Sequence, residues 1–319
     1  MSSKTRVIVD LDAGSDDAHA LCILLHAEKI GKIIIEAICC SMGNSSVDHI
    51  CKNVVRILET VKRTDIPIYK GCSGPILPME SPIPKFYGDD GFGDLIYDEE
   101  PDLSIIKKTP SAIAMSEIGE KYPGEVTLVC LGPLTNVALA LRLFDNFKKN
   151  IKEIHLMGGN YTAVGNITCT AEYNFYIDPE AAYAVLESVI CPVYMCTWES
   201  CLKTNISLNW RWNKLGKVQH PIVKLITNVE KSIYSKESKT SKWLPCDAFL
   251  AAALIYPEKL IKKKSQHRAS VELHGSQTRA QIVLDHLKIK EPNVTVIEKV
   301  DSDFFKDLIL EVYESFNKT

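Results

Sequence analysis

Apolar and polar positions alternate with two periods along this chain, and the two alternate with each other. Val7-Ile-Val9 is a short unbroken apolar run, and apolar positions continue through Ala18 to Leu25 at helical spacing. A buried strand ending near Leu11 and a helix over 16–29 are therefore predicted. The same grammar gives a strand over 33–39, a helix with Val47, Ile50, Val54, Ile57 and Val61 on one face, and a short strand over 67–69. It resumes with a helix over 111–121, a strand over 126–131, a helix opening at Gly132-Pro-Leu-Thr-Asn136 and a strand over 153–157. Asp178-Pro-Glu reads as a cap with proline in the first turn, followed by a strand over 192–196. Helices are expected over 221–235 and 247–255, short strands over 269–273, 280–284 and 294–300, and a last helix carrying Phe304, Phe305, Leu308 and Val312. Repeated strand–helix–strand units predict one α/β domain over residues 1–319, an open, mostly parallel central sheet flanked by helices.

Two stretches break the pattern. Residues 70–110 are rich in Gly and Pro and contain Tyr87-Gly-Asp-Asp-Gly-Phe-Gly-Asp94, and residues 160–176 follow Gly158-Gly159. Loops this long in a compact domain are usually functional, so the first is expected near the site.

Composition narrows the function. With 319 residues and 46% apolar content the chain can bury a large core. No stretch is long and apolar enough to span a bilayer, and Met1 to Arg6 runs into the first strand without a signal-like apolar region. A cytoplasmic protein without membrane contact is expected. Eleven cysteines at irregular spacing, several inside apolar runs, read as reduced thiols and not as a disulfide framework or a zinc site. A net charge of −3 offers no field for nucleic acid, and Lys262-Lys263-Lys264 reads as a solvated face.

The candidate chemistry sits in Asp10-Leu-Asp-Ala-Gly-Ser-Asp-Asp17, where four carboxylates gather between apolar flanks. Strand alternation would turn Asp10 and Asp12 to one side, Gly14 would allow a sharp turn, and Asp16 and Asp17 would open the helix. A helix N-terminus favours a negative charge by only about 0.3–1 kcal/mol, whereas two unit charges about 4 Å apart repel by roughly 4 kcal/mol at an effective dielectric near 20. A bound divalent cation would settle that balance. An all-oxygen donor set selects a hard ion, Ca²⁺ or Mg²⁺.

Asp10-Leu-Asp-Ala-Gly-Ser-Asp-Asp-Ala18, together with Gly165-Asn-Ile-Thr-Cys-Thr-Ala-Glu-Tyr-Asn174 and Asp247, resembles the inosine-uridine type nucleoside hydrolases, and the matching order runs from Val7 to the helix after Asp247. The resemblance implies the nucleoside hydrolase fold and calcium-dependent hydrolysis of ribonucleosides to ribose and free base. The transition state would be oxocarbenium-like, with a water on the ion as nucleophile. It also implies that Asp12, Asp17, the main-chain carbonyl of Leu131 and Asp247 hold Ca²⁺, with Asp12 as general base and Asp10 behind them. Asp16 and Asn44 would grip the ribose 2′-hydroxyl, Asn166, Glu172 and Asn174 the 3′ and 5′ side, and Asp247 the 3′-hydroxyl as well. Relatives are usually homodimers or homotetramers.

The departures lie on the base side. Many members carry His-Asp where this chain has Cys246-Asp247, a pattern that marks a subgroup, and a loop His corresponds to Tyr87. Cys246 is thus a base-side residue without an assigned role. Tyr87, Tyr173, Trp198 and Trp243, with Phe92 and Tyr234, are the aromatic candidates for the base. His19 and His155 read as structural. Two other classes stay open at this point: a nucleoside- or ribose-binding relative without turnover, and a Mg²⁺-dependent haloacid-dehalogenase-like phosphatase, which also follows a first strand with Asp-x-Asp.

Overall fold

The computed structural model describes residues 4–79, 84–234 and 241–317. Strand β1 (Thr5–Leu11) leads into α1 (Ser15–Lys29), β2 (Ile33–Cys40), α2 (Val47–Thr60) and β3 (Ile68–Lys70). After the long loop come β4 (Ile106–Lys107), α3 (Ser111–Lys121), β5 (Val126–Cys130), α4 (Thr135–Leu143), α5 (Phe147–Asn150) and β6 (Ile151–Met157). Next are α6 (Tyr173–Ile177), α7 (Pro179–Ser188), β7 (Val193–Cys196), α8 (Trp198–Leu202), α9 (Leu208–Asn213), α10 (Pro221–Ile233) and α11 (Cys246–Ile255). The chain closes with α12 (Pro257–Leu260), β8 (Ile261–His267), β9 (Ala269–Val271), β10 (Ile282–Leu284), β11 (Val294–Val300) and α13 (Ser302–Ser315). Residue 235, at the end of one expected helix, lies outside the described residues.

The main sheet has nine strands in the order β4-β3-β2-β1-β5-β6-β7-β11-β8, parallel except for β8. Chain order reverses between β1 and β5, which leaves a crevice at the carboxyl ends of those two strands, where open α/β sheets bind ligands. Val7, Ile8 and Val9 are wholly buried because the sheet is covered on both faces. One core packs α1, α2, α10, α11 and α13 on one face, and the other packs α3, α4, α5 and α7 on the opposite face. Helix α1 is buried from Asp17 to Ala27 nearly all round, so it is a core helix and not an amphipathic surface helix.

Lys262-Lys263-Lys264 is exposed, as its reading as a solvated face expects, and it also lies in β8, an unpredicted strand whose lysines line the antiparallel edge of the sheet. Charge on an edge strand discourages further pairing, and it also hides the strand from a hydrophobic pattern. The helices α8 and α9 were not anticipated, although Thr197 and Ser207 cap them. All cysteines are free thiols, most of them buried. Among the described residues no helix is long and apolar enough to cross a membrane.

Candidate active site

The site begins where β1 stops. The turn expected at Gly14 is made with Ala13 in the left-handed region, at φ 45°, while Gly14 itself is extended. Glycine is needed there for room: a Cβ would lie 2.8 Å from the Tyr87 ring and 2.9 Å from the Asn44 amide nitrogen. The Asp17 carboxylate closes the turn, accepting from the Gly14 N–H at 2.8 Å and the Asp12 N–H at 3.3 Å. From the end of β2, the Asn44 N–H donates to Asp12 Oδ2 at 2.9 Å, across Gly43, where a Cβ would collide with that same oxygen.

A pocket of about 570 Å³ opens over this turn. Asp12, Asp16, Asn44, Leu131, Asn166, Glu172, Asn174, Cys246 and Asp247 all line it, and Tyr87, Tyr173, Trp198 and Tyr234 form its aromatic wall. Residues more than two hundred positions apart thus meet at one crevice. Carboxylate oxygens of Asp16, Asp17 and Asp247 lie within 4.8 Å of one another. Asp12, expected among the ion's ligands, stands next to that trio with one oxygen engaged by Asn44.

Burial raises the pKa of every acid here, and for Asp12, Asp17, Glu172 and Asp247 the charges of neighbouring acids add to it. Asp17 is pushed up to about 8 by burial and then by Asp16. Asp12 rises well above its ordinary value through burial and the charge of Asp17, and Asp247 does so through burial, Asp16 and Asp17. Among the described residues no Lys or Arg pairs with Asp12, Asp16, Asp17 or Asp247, and the buried Asp247 Oδ1 has no hydrogen-bond partner. An orphaned carboxylate oxygen among crowded acids, with oxygen donors throughout, fits a hard divalent cation.

The opposite wall is built from backbone. Glu172 caps α6, accepting from Asn174 N–H at 2.9 Å, Phe175 N–H at 3.2 Å and, from the Gly158-Gly159 turn, Gly159 N–H at 2.7 Å. Burial still lifts it to about 7. The Asn174 amide donates to the Leu131 carbonyl at 2.8 Å, and Tyr173 Oη donates to the Gly43 carbonyl at 3.0 Å. Asn166 is exposed at the rim on a loop held by buried Glu199, which accepts from the Tyr161, Thr162 and Val164 N–H groups.

Three expectations are corrected. Trp243 is 1% exposed and does not line the pocket; its indole N–H donates to Glu230 at 2.8 Å in a core cluster. Phe92 is likewise fully buried and anchors its loop from below. Asp10 accepts from the Asn136 amide at 2.8 Å and lies outside the pocket lining, because β1 ends at Leu11 and strand alternation does not carry through to Asp12. His19 is bonded to Glu230 and Tyr313 as a structural residue, and His155 stacks on Tyr194 at 4.7 Å with its Nε2 3.5 Å from Glu153. Sequence reasoning missed Phe86, Leu244, Lys85 and Lys242, which also line the pocket. Phe86 adjoins Tyr87 and was in reach; the lysines carried no signal.

The profile of the inosine-uridine preferring nucleoside hydrolases matches residues 7–307. The chain belongs to that family. Similarity extends over whole proteins: it is 32% identical over 315 residues to the pyrimidine-specific ribonucleoside hydrolase RihA of Salmonella gallinarum, covering 96% of this chain and 97% of that one. A solved inosine-guanosine nucleoside hydrolase superposes with a TM-score of 0.88 at 27% identity, covering 98% of this chain and 99% of that one. A purine-preferring ribonucleoside hydrolase from Gardnerella vaginalis shares the fold, with a TM-score of 0.85 at 23% identity and coverage of 98% and 99%. This nucleoside hydrolase thus holds its acid-lined pocket at the carboxyl ends of the central strands.

Proposed function

We propose that this enzyme hydrolyses the N-glycosidic bond of cytoplasmic ribonucleosides with Ca²⁺ seated among the acids at the β1 turn, working as a homodimer or homotetramer. The observation that carries this reading is the meeting of Asp16 and Asp17 with the distant Asp247, whose buried Oδ1 has no hydrogen-bond partner among the described residues. Asp17 and Asp247 would hold the ion, with Asp12 and the Leu131 carbonyl completing the set. When bound, the cation supplies the positive charge that lets these carboxylates ionise, anchors sugar hydroxyls and makes a water easier to deprotonate.

The remaining work falls to the chain. Asp12 takes the proton of the attacking water. Asp16 and Asn44 fix the 2′-hydroxyl, and Asp247, Asn166, Glu172 and Asn174 fix the 3′ and 5′ side. Carboxylates around the sugar stabilise the positive charge that builds on the ribosyl ring as the bond to the base lengthens. Trp198, Tyr234, Phe86 and Leu244 offer an apolar wall for the base and exclude water from it. No histidine lines the pocket among the described residues, so protonation of the leaving base comes from solvent or from contacts to the base.

The relatives' names divide between pyrimidine and purine nucleosides, so the test spans both. Reducing-sugar release is measured from inosine, guanosine, adenosine, uridine and cytidine, with and without chelator. Release from at least one, abolished by chelator and restored by Ca²⁺, is expected, with Asp247→Asn lowering kcat at least about hundredfold. No release from any of them contradicts the reading. Phosphate release from a phosphomonoester in its place would favour the phosphatase class.

A further inference from the structure

Tyr87, which the family resemblance gives as a possible base-side residue, turns its hydroxyl to the acid cluster and donates to Asp16 Oδ1 at 2.7 Å. The edge of its ring passes directly over Gly14, and the Asn44 amide converges on the same point. Tyr87, Asn44 and Asp16 thus make one wall.

The loop that carries Tyr87 is tied down at several points. The Tyr87 carbonyl accepts from Gly93 N–H at 2.7 Å, and Phe92 is buried beneath. Ser45 Oγ donates to the Asp89 carbonyl at 2.7 Å, the Asn53 amide to the Asp90 carbonyl at 2.9 Å, and Ser232 Oγ to the Gly93 carbonyl at 3.0 Å. Its acidic tip is spent internally, Asp90 accepting from Phe92 N–H and Asp94 N–H. The phenol is therefore held in place before any substrate arrives, and ordering it costs nothing at binding.

We propose that Tyr87 is a positioning residue that holds the Asp16 carboxylate to receive the 2′-hydroxyl, and so sets the preference for ribonucleosides over 2′-deoxyribonucleosides. This rests on the function proposed above. A carboxylate turns freely about its last torsion, and Asp16 has the acids Asp17 and Asp247 beside it. With Oδ1 fixed by the phenol, the other oxygen has a defined direction. A 2′-hydroxyl donating there is rewarded, and a sugar lacking it leaves that oxygen desolvated and unpaired. Without the phenol the carboxylate swings, and the hydroxyl loses its fixed acceptor.

The test compares kcat/KM for inosine with 2′-deoxyinosine, and uridine with 2′-deoxyuridine, in the Ca²⁺-loaded wild type, Tyr87→Phe, Asp16→Asn and the double variant. Tyr87→Phe keeps the ring over Gly14, and circular dichroism checks the fold. The ribo-to-deoxyribo ratio should fall about tenfold in Tyr87→Phe, the factor for one hydrogen bond to a charged group. In the Asp16→Asn background the second substitution should leave the ratio unchanged. Equal loss on both sugars, or the same fall in both backgrounds, overturns the proposal. The same ratio read as binding affinity by calorimetry separates the two claims. A wild type that binds selectively without turnover overturns the hydrolytic reading alone, and Tyr87→Phe retaining full binding selectivity overturns the role of Tyr87.

Discussion

Cys246 lines the pocket beside Asp247, where the family resemblance implies a histidine in many members, and its surroundings make it a poor proton donor. The thiol is 4% exposed, and burial pushes its pKa above the ordinary cysteine value despite a hydrogen bond from Cys201 that works the other way. It is a neutral wall residue. A true general acid contributes about 10²–10⁴-fold, so Cys246→Ala should keep kcat within about tenfold of wild type, and a thousandfold loss at unchanged affinity would make the thiol the acid. The acids of the β1 turn were legible in the sequence because charge inside apolar flanks has few structural explanations. The aromatic residues were not: Trp198 faces the pocket and Trp243 the core, and nothing in their local sequence separates them. An aromatic ring serves either purpose, and only packing decides.

At the scale of elements, two helices deliver the acids by their N-termini. Asp16 and Asp17 open α1, and Asp247 opens α11. A buried cluster between α1, α9, α10 and the segment before α11 keeps them in register. Glu230 on α10 accepts from Trp243 Nε1, meets His19 Nε2 at 3.1 Å and pairs with Arg211 Nε at 2.7 Å. Burial pushes the Glu230 pKa up, but Arg211 and His19 outweigh it and the net shift is downward. A depressed folded pKa means that its contribution is complete above the unfolded value of about 4.3 and is lost as pH falls through the lower folded value. Glu230→Ala leaves Arg211 as an uncompensated buried charge and should cost about 3–5 kcal/mol near neutral pH, read from urea unfolding, with the deficit shrinking in acid. Loss below about 1 kcal/mol would show the cluster to be incidental. The parallel strands of this scaffold were legible through their apolar runs. Strand β8 was not, because its lysines obey the needs of an edge, and neither were α8 and α9, which are too short to show a period.

For the whole molecule, the site follows from topology. Reversal of chain order between β1 and β5 opens the crevice, and the ends of β1, β2, β5 and β6 each bring residues to it. Alternating periods made that architecture readable along the chain, whereas the aromatic wall of the pocket draws on loops whose approach depends on tertiary packing alone. In the proposed site the acids of two distant helices hold one cation, and the sugar lies across it. Calorimetric titration of Ca²⁺ into chelator-stripped protein tests this arrangement most directly. Wild type should bind one ion per chain, Asp247→Asn should bind at least about tenfold more weakly, and the same Ca²⁺ concentration should raise the melting temperature of wild type by more than that of Asp247→Asn. Absence of binding, or equal binding by wild type and Asp247→Asn, would contradict it.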